Sequence, residues 1–208
     1  MITSRDLNSV HIQEFFSHLP SGIDYVLKRK NIIFKKDVLE IGCGDGNTII
    51  DVANKFAVNA YTIDKEIPKR YKDMRKVVFI QYNLKDIENL YVKKLKFDFI
   101  YSFRVFLHLD MQTRINVVEY ILNSLNEGGI AIIDYSGDYS KRRFDSNDDD
   151  NYLILKLNEI KPKNIEIRHI EKIMYRADYN LVEDIHKPLF KSEEIAFNGN
   201  ILIIQKKK

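Results

Sequence analysis

The sequence predicts an α/β fold built on a mostly parallel, doubly wound sheet, and three observations carry that prediction. Short apolar runs alternate with stretches of helical periodicity between residues 38 and 135, the rhythm of strand, crossover helix and strand. The runs themselves are apolar almost throughout, as strands covered on both faces must be. One of them leads straight into three glycines at alternate positions, Gly42, Gly44 and Gly46, with a helical pattern directly after. A chain of 208 residues, 45% apolar and 30% charged, closes one core, so a single domain, 1–208, is expected.

Taken in order, residues 1–30 form a helical preface. Leu7, Val10, Ile12, Phe15, Phe16 and Leu19 share helical spacing, Pro20-Ser-Gly22 interrupts it, and Ile23, Val26 and Leu27 resume it. Tyr25 and Phe16 would suit a lid, although amphipathic packing accounts for them equally. The core then reads as strand 38–41, helix 48–56, strand 57–63, a charged helical stretch, and strand 77–82. Strand 97–102, helix 112–125, a Gly128-Gly129 turn and strand 130–135 follow. Residues 136–151, with Lys141-Arg-Arg143 and Asp148-Asp-Asp150, read as an exposed loop, and 152–160 as a helix. Ile165, Ile167 and Ile170 fit neither period, leaving 165–175 open between helix and strand. Residues 180–186 and 195–205 read as two strands that close the sheet, joined by a linker with Pro188 and the Asn198-Gly-Asn turn.

Composition excludes several classes. Cys43 is the sole cysteine, so an internal disulfide, a four-cysteine zinc site and a two-cysteine redox pair are ruled out. A net charge of +3 from 33 basic and 30 acidic residues is too balanced to demand a polyanion partner. The longest apolar runs fall short of a membrane span, and the first residues lack the pattern of a secretion signal, so a cytoplasmic protein is expected.

The strongest chemical signal is Val38-Leu-Glu-Ile-Gly-Cys-Gly-Asp-Gly-Asn47, because a loop with so few side chains lets a ligand lie on its backbone. A dinucleotide fingerprint would place glycine where Asn47 stands. From about residue 31 to the end the chain resembles the class I methyltransferases that use S-adenosylmethionine. The resemblance implies a Rossmann-like, seven-stranded sheet with a C-terminal antiparallel pair. It divides the chain into a cofactor-binding core at 31–135, an insert at 136–163 and a substrate-side, sheet-closing region at 164–208. It also implies S-adenosylmethionine contacts from Glu40, Gly42, Cys43, Gly44 and Gly46 in the first motif. Asp64, ending the second strand beside Lys65, matches the acidic residue that binds the ribose hydroxyls. Asn83 and Leu84, in Phe79-Ile-Gln-Tyr-Asn-Leu-Lys-Asp86, match the adenine-binding pair, with Asp86 as a substitute should the register differ. Ser102 falls at the end of the fourth strand, in a segment that runs on to His108, and Leu125-Asn-Glu-Gly-Gly-Ile-Ala-Ile-Ile-Asp134 is similar to the family's glycine turn and fifth strand.

Missing motifs narrow the chemistry. Ser102-Phe-Arg104 stands where amino methylation of DNA bases or protein amides uses an acidic or Asn residue before two prolines. Methylation at a cytosine ring carbon needs a cysteine in that region, whereas Cys43 lies in the glycine loop. No carboxylate follows the fourth strand to hold a divalent ion, so no metal is expected. His108, with an ordinary pKa of roughly 6.5, is the candidate general base, or else a cap for the following helix. Arg104 is a candidate for orienting the acceptor, and Tyr135 and Asp138 for its wall. The expected function is methyl transfer to an O or N atom of a small-molecule acceptor. The alternatives are an RNA or protein acceptor and a non-catalytic cofactor-binding subunit of a partner enzyme; a nicotinamide dehydrogenase ranks last.

Overall fold

The computed structural model describes residues 37–55, 58–90, 94–103, 105–134, 147–178 and 194–207. β1 (Asp37–Ile41) is an inner strand of the sheet, flanked by strands on both edges, and its Val38, Leu39 and Ile41 are wholly buried. α1 (Asn47–Lys55) leads to β2 (Asn59–Asp64) and β3 (Val77–Gln81), both parallel to their predecessor, with Leu39 opposite Tyr61 and Thr62 opposite Phe79. β4 (Phe97–Ser102) lies on the other side of β1, Glu40 opposite Tyr101. α2 (Met111–Ser124) then leads into β5 (Leu125–Asp134), α3 (Asn147–Ile160), β6 (Ile165–Asp178) and β7 (Glu194–Lys206). The sheet has seven strands in the order β3-β2-β1-β4-β5-β7-β6, with β7 antiparallel to β5. The expected mostly parallel, seven-stranded Rossmann-like sheet is thus the one observed.

α2 begins where Asp110 accepts the Thr113 backbone N–H at 2.8 Å, a side-chain cap for a donor the helix itself leaves open. Its Val117, Val118, Ile121 and Leu122 join Leu153 and Leu157 of α3 and Ile100, Ala131 and Ile133 of the sheet in one apolar cluster. Each such fully buried aliphatic side chain contributes about 1.5–3 kcal/mol from removal of its surface from water.

Several element expectations require correction. The charged stretch between β2 and β3 holds no α-helix, only a 3-10 turn at Tyr71–Asp73, since Pro68 and Met74 are its sole buried side chains and a helix there would have no apolar stripe to bury. Gly128 and Gly129 do not precede β5 but lie inside it, as a bulge between the pairs Phe97–Leu125 and Phe99–Ile130. Gly128 has φ 77°, and a Cβ on Gly129 would lie 2.9 Å from the Asn126 carbonyl oxygen. α3 starts at Asn147, so Asp148-Asp-Asp150 occupy its first turn, where negative charge suits the helix dipole. Residues 165–175 are strand, within β6, and β7 runs without a turn through Asn198-Gly-Asn200. The preface at 1–30, most of the loop expected at 136–151 and the strand expected at 180–186 lie outside the described residues.

The chain divides into two compact units, residues 34–169 with 201–208, and residues 1–33 with 170–200. The glycine loop and the strand ends around it belong to the first. Of the second, the described residues are the parts of β6 and β7 that belong to it.

Candidate cofactor site

From β1 the chain continues to β2 and β3 on one side, and from β4 to β5 on the other. The carboxyl ends of β1 and β4 therefore border the crevice where open α/β sheets bind ligands. The glycine loop fills this position. Gly42 donates to the Ile63 carbonyl at 2.8 Å and Gly46 to the Cys43 carbonyl at 2.8 Å, with φ of 77°, 51° and 85° at Gly42, Gly44 and Gly46.

The three glycines are not equivalent. A Cβ on Gly42 would lie 2.2 Å from Val105 Cγ2, and one on Gly46 would lie 2.6 Å from Met74 Cε, so packing alone explains both. A Cβ on Gly44 would meet nothing within 4 Å among the described residues. The backbone at Gly44 faces open space, and its N–H donates to Asp64 Oδ2 at 3.0 Å. The other Asp64 oxygen, Oδ1, accepts the Glu66 N–H at 3.2 Å. Two backbone donors thus fix a partly exposed carboxylate beside the open position, and each oxygen keeps acceptor capacity for a further donor.

Under the loop lies a buried polar layer. Glu40 is 6% exposed, and its strand partners are Thr62 and Tyr101. Thr62 Oγ1 donates to the Glu40 backbone carbonyl at 3.0 Å, but Glu40 Oε2 and the Tyr101 hydroxyl have no hydrogen-bond partner at bonding distance. Burial pushes the Glu40 carboxyl up to about 8, and the Tyr101 hydroxyl and Ile49 backbone, which favour the charged form, offset this only in part. Burial likewise raises the Tyr101 phenol well above its usual range, and the nearby Glu40 adds to the effect. Cys43, 8% exposed, is pushed up to about 12, mainly by burial, which keeps its thiol protonated and unreactive. Ser102 is fully buried, and its hydroxyl donates to the Ile41 carbonyl at 3.0 Å, bracing the ends of β4 and β1 against each other.

The other expected residues fall around this centre. Tyr82 N–H donates to the Asp64 carbonyl at 2.8 Å, which brings the end of β3 and Asn83 next to the ribose candidate. Asn83 caps a 3-10 turn at Leu84–Asn89, its Oδ1 accepting the Lys85 N–H at 3.1 Å, so its amide NH2 is the donor still free among the described residues. Leu84 is only 8% exposed and belongs to the core cluster. Lys65 is exposed and pairs with Glu66 at 3.4 Å. His108 is exposed, at the end of a 3-10 turn at Phe106–His108. It does not cap α2: Asp110 does, and the hydrogen bonds from Thr113 hold that carboxyl below its usual pKa. Arg104, Tyr135 and Asp138 lie outside the described residues.

Sequence reasoning passed over the residues that close the loop from outside. Asn47 Oδ1 accepts from Arg70 Nη1 at 3.0 Å, the Arg70 N–H donates to the Asp45 carbonyl at 3.3 Å, and Lys69 pairs with Asp45 at 3.3 Å. Asn47 was visible as a departure from glycine, but its partner lies 23 residues on. The same strap exposes Lys65, Lys69, Arg70, Lys72, Arg75 and Lys76 against Glu66 and Asp73, a local basic excess that whole-chain charge conceals.

An open glycine backbone, an anchored carboxylate and buried polar atoms left unpartnered beneath them fit a nucleoside that carries positive charge. Among the described residues no group of three or more His, Cys, Asp or Glu side chains is placed to hold a metal ion.

Comparisons with known proteins agree. The methyltransferase domain family matches residues 12–184. No curated protein matches. Among solved structures, a putative rRNA methylase from Clostridium thermocellum is similar at 13% identity with a TM-score of 0.59, over 89% of this chain and 96% of that one. Magnesium protoporphyrin IX methyltransferase from Synechocystis, solved with bound S-adenosylmethionine, is similar at 13% identity and 0.57, over 95% and 81%. The N-methyltransferase NodS from Bradyrhizobium japonicum, in complex with S-adenosylhomocysteine, is similar at 14% and 0.55, over 98% and 96%. With the family matched over most of its length and the sheet order and glycine loop in place, the chain belongs to the class I methyltransferases, which use S-adenosylmethionine.

Proposed function

We propose that this methyltransferase acts on an O or N atom of a small-molecule acceptor, in the cytoplasm. Gly44 lies under the cofactor, Asp64 takes both ribose hydroxyls, and the free amide of Asn83 donates to an adenine ring nitrogen. The observation that carries the reading is the 3.0 Å bond from Gly44 to Asp64 with open space over Gly44. Bound there, S-adenosylmethionine supplies an electrophilic methyl group on a sulfonium whose positive charge disappears on transfer. The protein's part is to position the acceptor, exclude water and, for a protonated acceptor, remove a proton. His108 is the proposed base and Arg104 and Tyr135 the proposed acceptor contacts. A small acceptor is supported by the resemblance to NodS and to magnesium protoporphyrin IX methyltransferase. No described helix is long and apolar enough to cross a membrane.

A thermal-shift screen against S-adenosylmethionine, its demethylated product, NAD and NADP tests the cofactor. Roughly 100-fold excess over the dissociation constant should stabilise the protein by about 2.7 kcal/mol for the first two and not for the others.

The basic strap at 65–76, with Tyr71 52% exposed on it, favours a second reading in which RNA is the acceptor. Gel-shift titration at two salt concentrations separates the two. Submicromolar binding that weakens with salt, by a log-log slope of about 0.7 per phosphate contact on single strands, and that is lost when Lys72, Arg75 and Lys76 become Ala, would establish the RNA reading.

A further inference from the structure

Glu40 is a buried acid of the site with one carboxyl oxygen, Oε2, left without a partner among the described residues. It is 6% exposed, at the last position but one of β1 and directly below the glycine loop. Among the described residues the groups that face it bring no positive charge: Thr62 and Asp64 on β2, Tyr101 on β4, Cys43 on the loop and the Ile49 backbone on α1. A medium that solvates charge so poorly favours the protonated carboxyl. The Tyr101 hydroxyl opposite is fully buried and also unpartnered, which makes it a donor held ready for a charge not yet formed.

We propose that Glu40 and Tyr101 form a proton-linked pair, in which positive charge arriving with S-adenosylmethionine above the loop makes the Glu40 carboxyl release its proton to solvent, and the Tyr101 hydroxyl then donates to the carboxylate. Tyr101 is thereby a positioning residue, acting on the cofactor through Glu40. The inference rests on the cofactor reading above and extends it to the coupling between binding and protonation. Raised ionisation of Glu40, to about 8, agrees with a neutral resting state at physiological pH. One O–H bond breaks, the proton passes to buffer, and the pair gains one negative charge to match the ligand's positive charge.

Titration calorimetry with S-adenosylmethionine, in phosphate and in Tris at about pH 7, measures this directly. The binding heats should differ between the buffers in proportion to their ionisation enthalpies, with roughly one proton released per cofactor, and affinity should rise roughly tenfold from about pH 6 to about pH 7. Glu40→Gln, which keeps the shape of the neutral acid, should bind more weakly, with equal heats in both buffers and no rise in affinity with pH. Tyr101→Phe should still release the proton but bind roughly tenfold more weakly, the loss of a hydrogen bond to a charged group. Equal heats for the wild-type protein in both buffers, or undiminished proton release by Glu40→Gln, would overturn the proposal while leaving the cofactor reading intact. Failure of S-adenosylmethionine to bind at all would remove both. Should Glu40→Gln fail to fold, the wild-type buffer comparison and Tyr101→Phe still decide the matter.

Discussion

The two ends of the parallel sheet solve opposite problems with similar residues. At the amino end, Asp98 accepts the Asp37 N–H at 3.3 Å and the Asn126 side-chain amide at 2.9 Å, and Asp37 in turn accepts the Asn59 amide at 2.9 Å. Lys206 closes the same end by donating to the Leu125 carbonyl at 3.1 Å. Polar groups there satisfy one another across five strands. At the carboxyl end Asp64 is anchored just as firmly, yet the backbone beside it is open and Glu40 and Tyr101 below it lack partners. An Asp at a strand end is therefore not evidence of function by itself. What separates Asp64 from Asp98 is the unfilled space next to it.

The contrast breaks most visibly at the glycines. Gly42→Ala should cost about 2–5 kcal/mol of stability, since left-handed backbone strain adds to a clash with the stiff, β-branched Val105. Gly44→Ala, with no neighbour to strike, should cost only about 1–2 kcal/mol by denaturant unfolding. It should nevertheless abolish S-adenosylmethionine binding, and wild-type affinity in this variant would show that the open space is not the cradle.

Asp64→Ala should weaken S-adenosylmethionine by about 1.5–3 kcal/mol in calorimetry while the fold survives. Asp98→Ala is its counterpart at the other end. It should lower stability by about 1–3 kcal/mol through the donors it strands, and leave cofactor affinity where it was. Equal losses of affinity in the two variants would erase the distinction between the ends.

Glu40 adds a smaller, pH-dependent effect on the ligand-free protein. Because its folded-state ionisation is raised from 4.5 to about 8, the folded chain holds a proton that the unfolded chain has lost between those values. Its contribution is thus full below about pH 4.5 and is lost as pH rises through about 8. Glu40→Gln should flatten the fall in melting temperature across that window, and an unchanged slope would place the titration elsewhere.

The strand-helix alternation and the glycine loop were legible because both are local. β1, β4 and α2 appear within a residue or so of their expected bounds, each defined by its own apolar pattern and, for α2, by Asp110. Gly44 and Asp64 were legible as a pair only through the rhythm of one helix and one strand between them. What eluded sequence reasoning depends on partners far along the chain. The roles of Gly42 and Gly46 are set by Val105 and Met74, and Ser102 is spent on the Ile41 carbonyl 61 residues earlier. β6 was ambiguous because Ile165 and Ile167, which both pack on the core, share the spacing of a strand, whereas Ile170 breaks it. The bulge in β5 hid behind Gly128-Gly129, which read as a turn because their crowding comes from the backbone of Asn126 and Phe97.

The place of β7 between β5 and β6 has a consequence for how the chain is made. β6 is synthesised before β7 but, among the described strands, has no neighbour in the sheet except β7. Before β7 is made, the row from β3 to β5 can assemble, but the edge of β5 that β7 takes has no partner. Insertion of β7 then closes Ile130 against Gln205 and Ile133 against Leu202. A nascent chain stalled before that step exposes an apolar edge of the kind that recruits a chaperone or a second nascent chain.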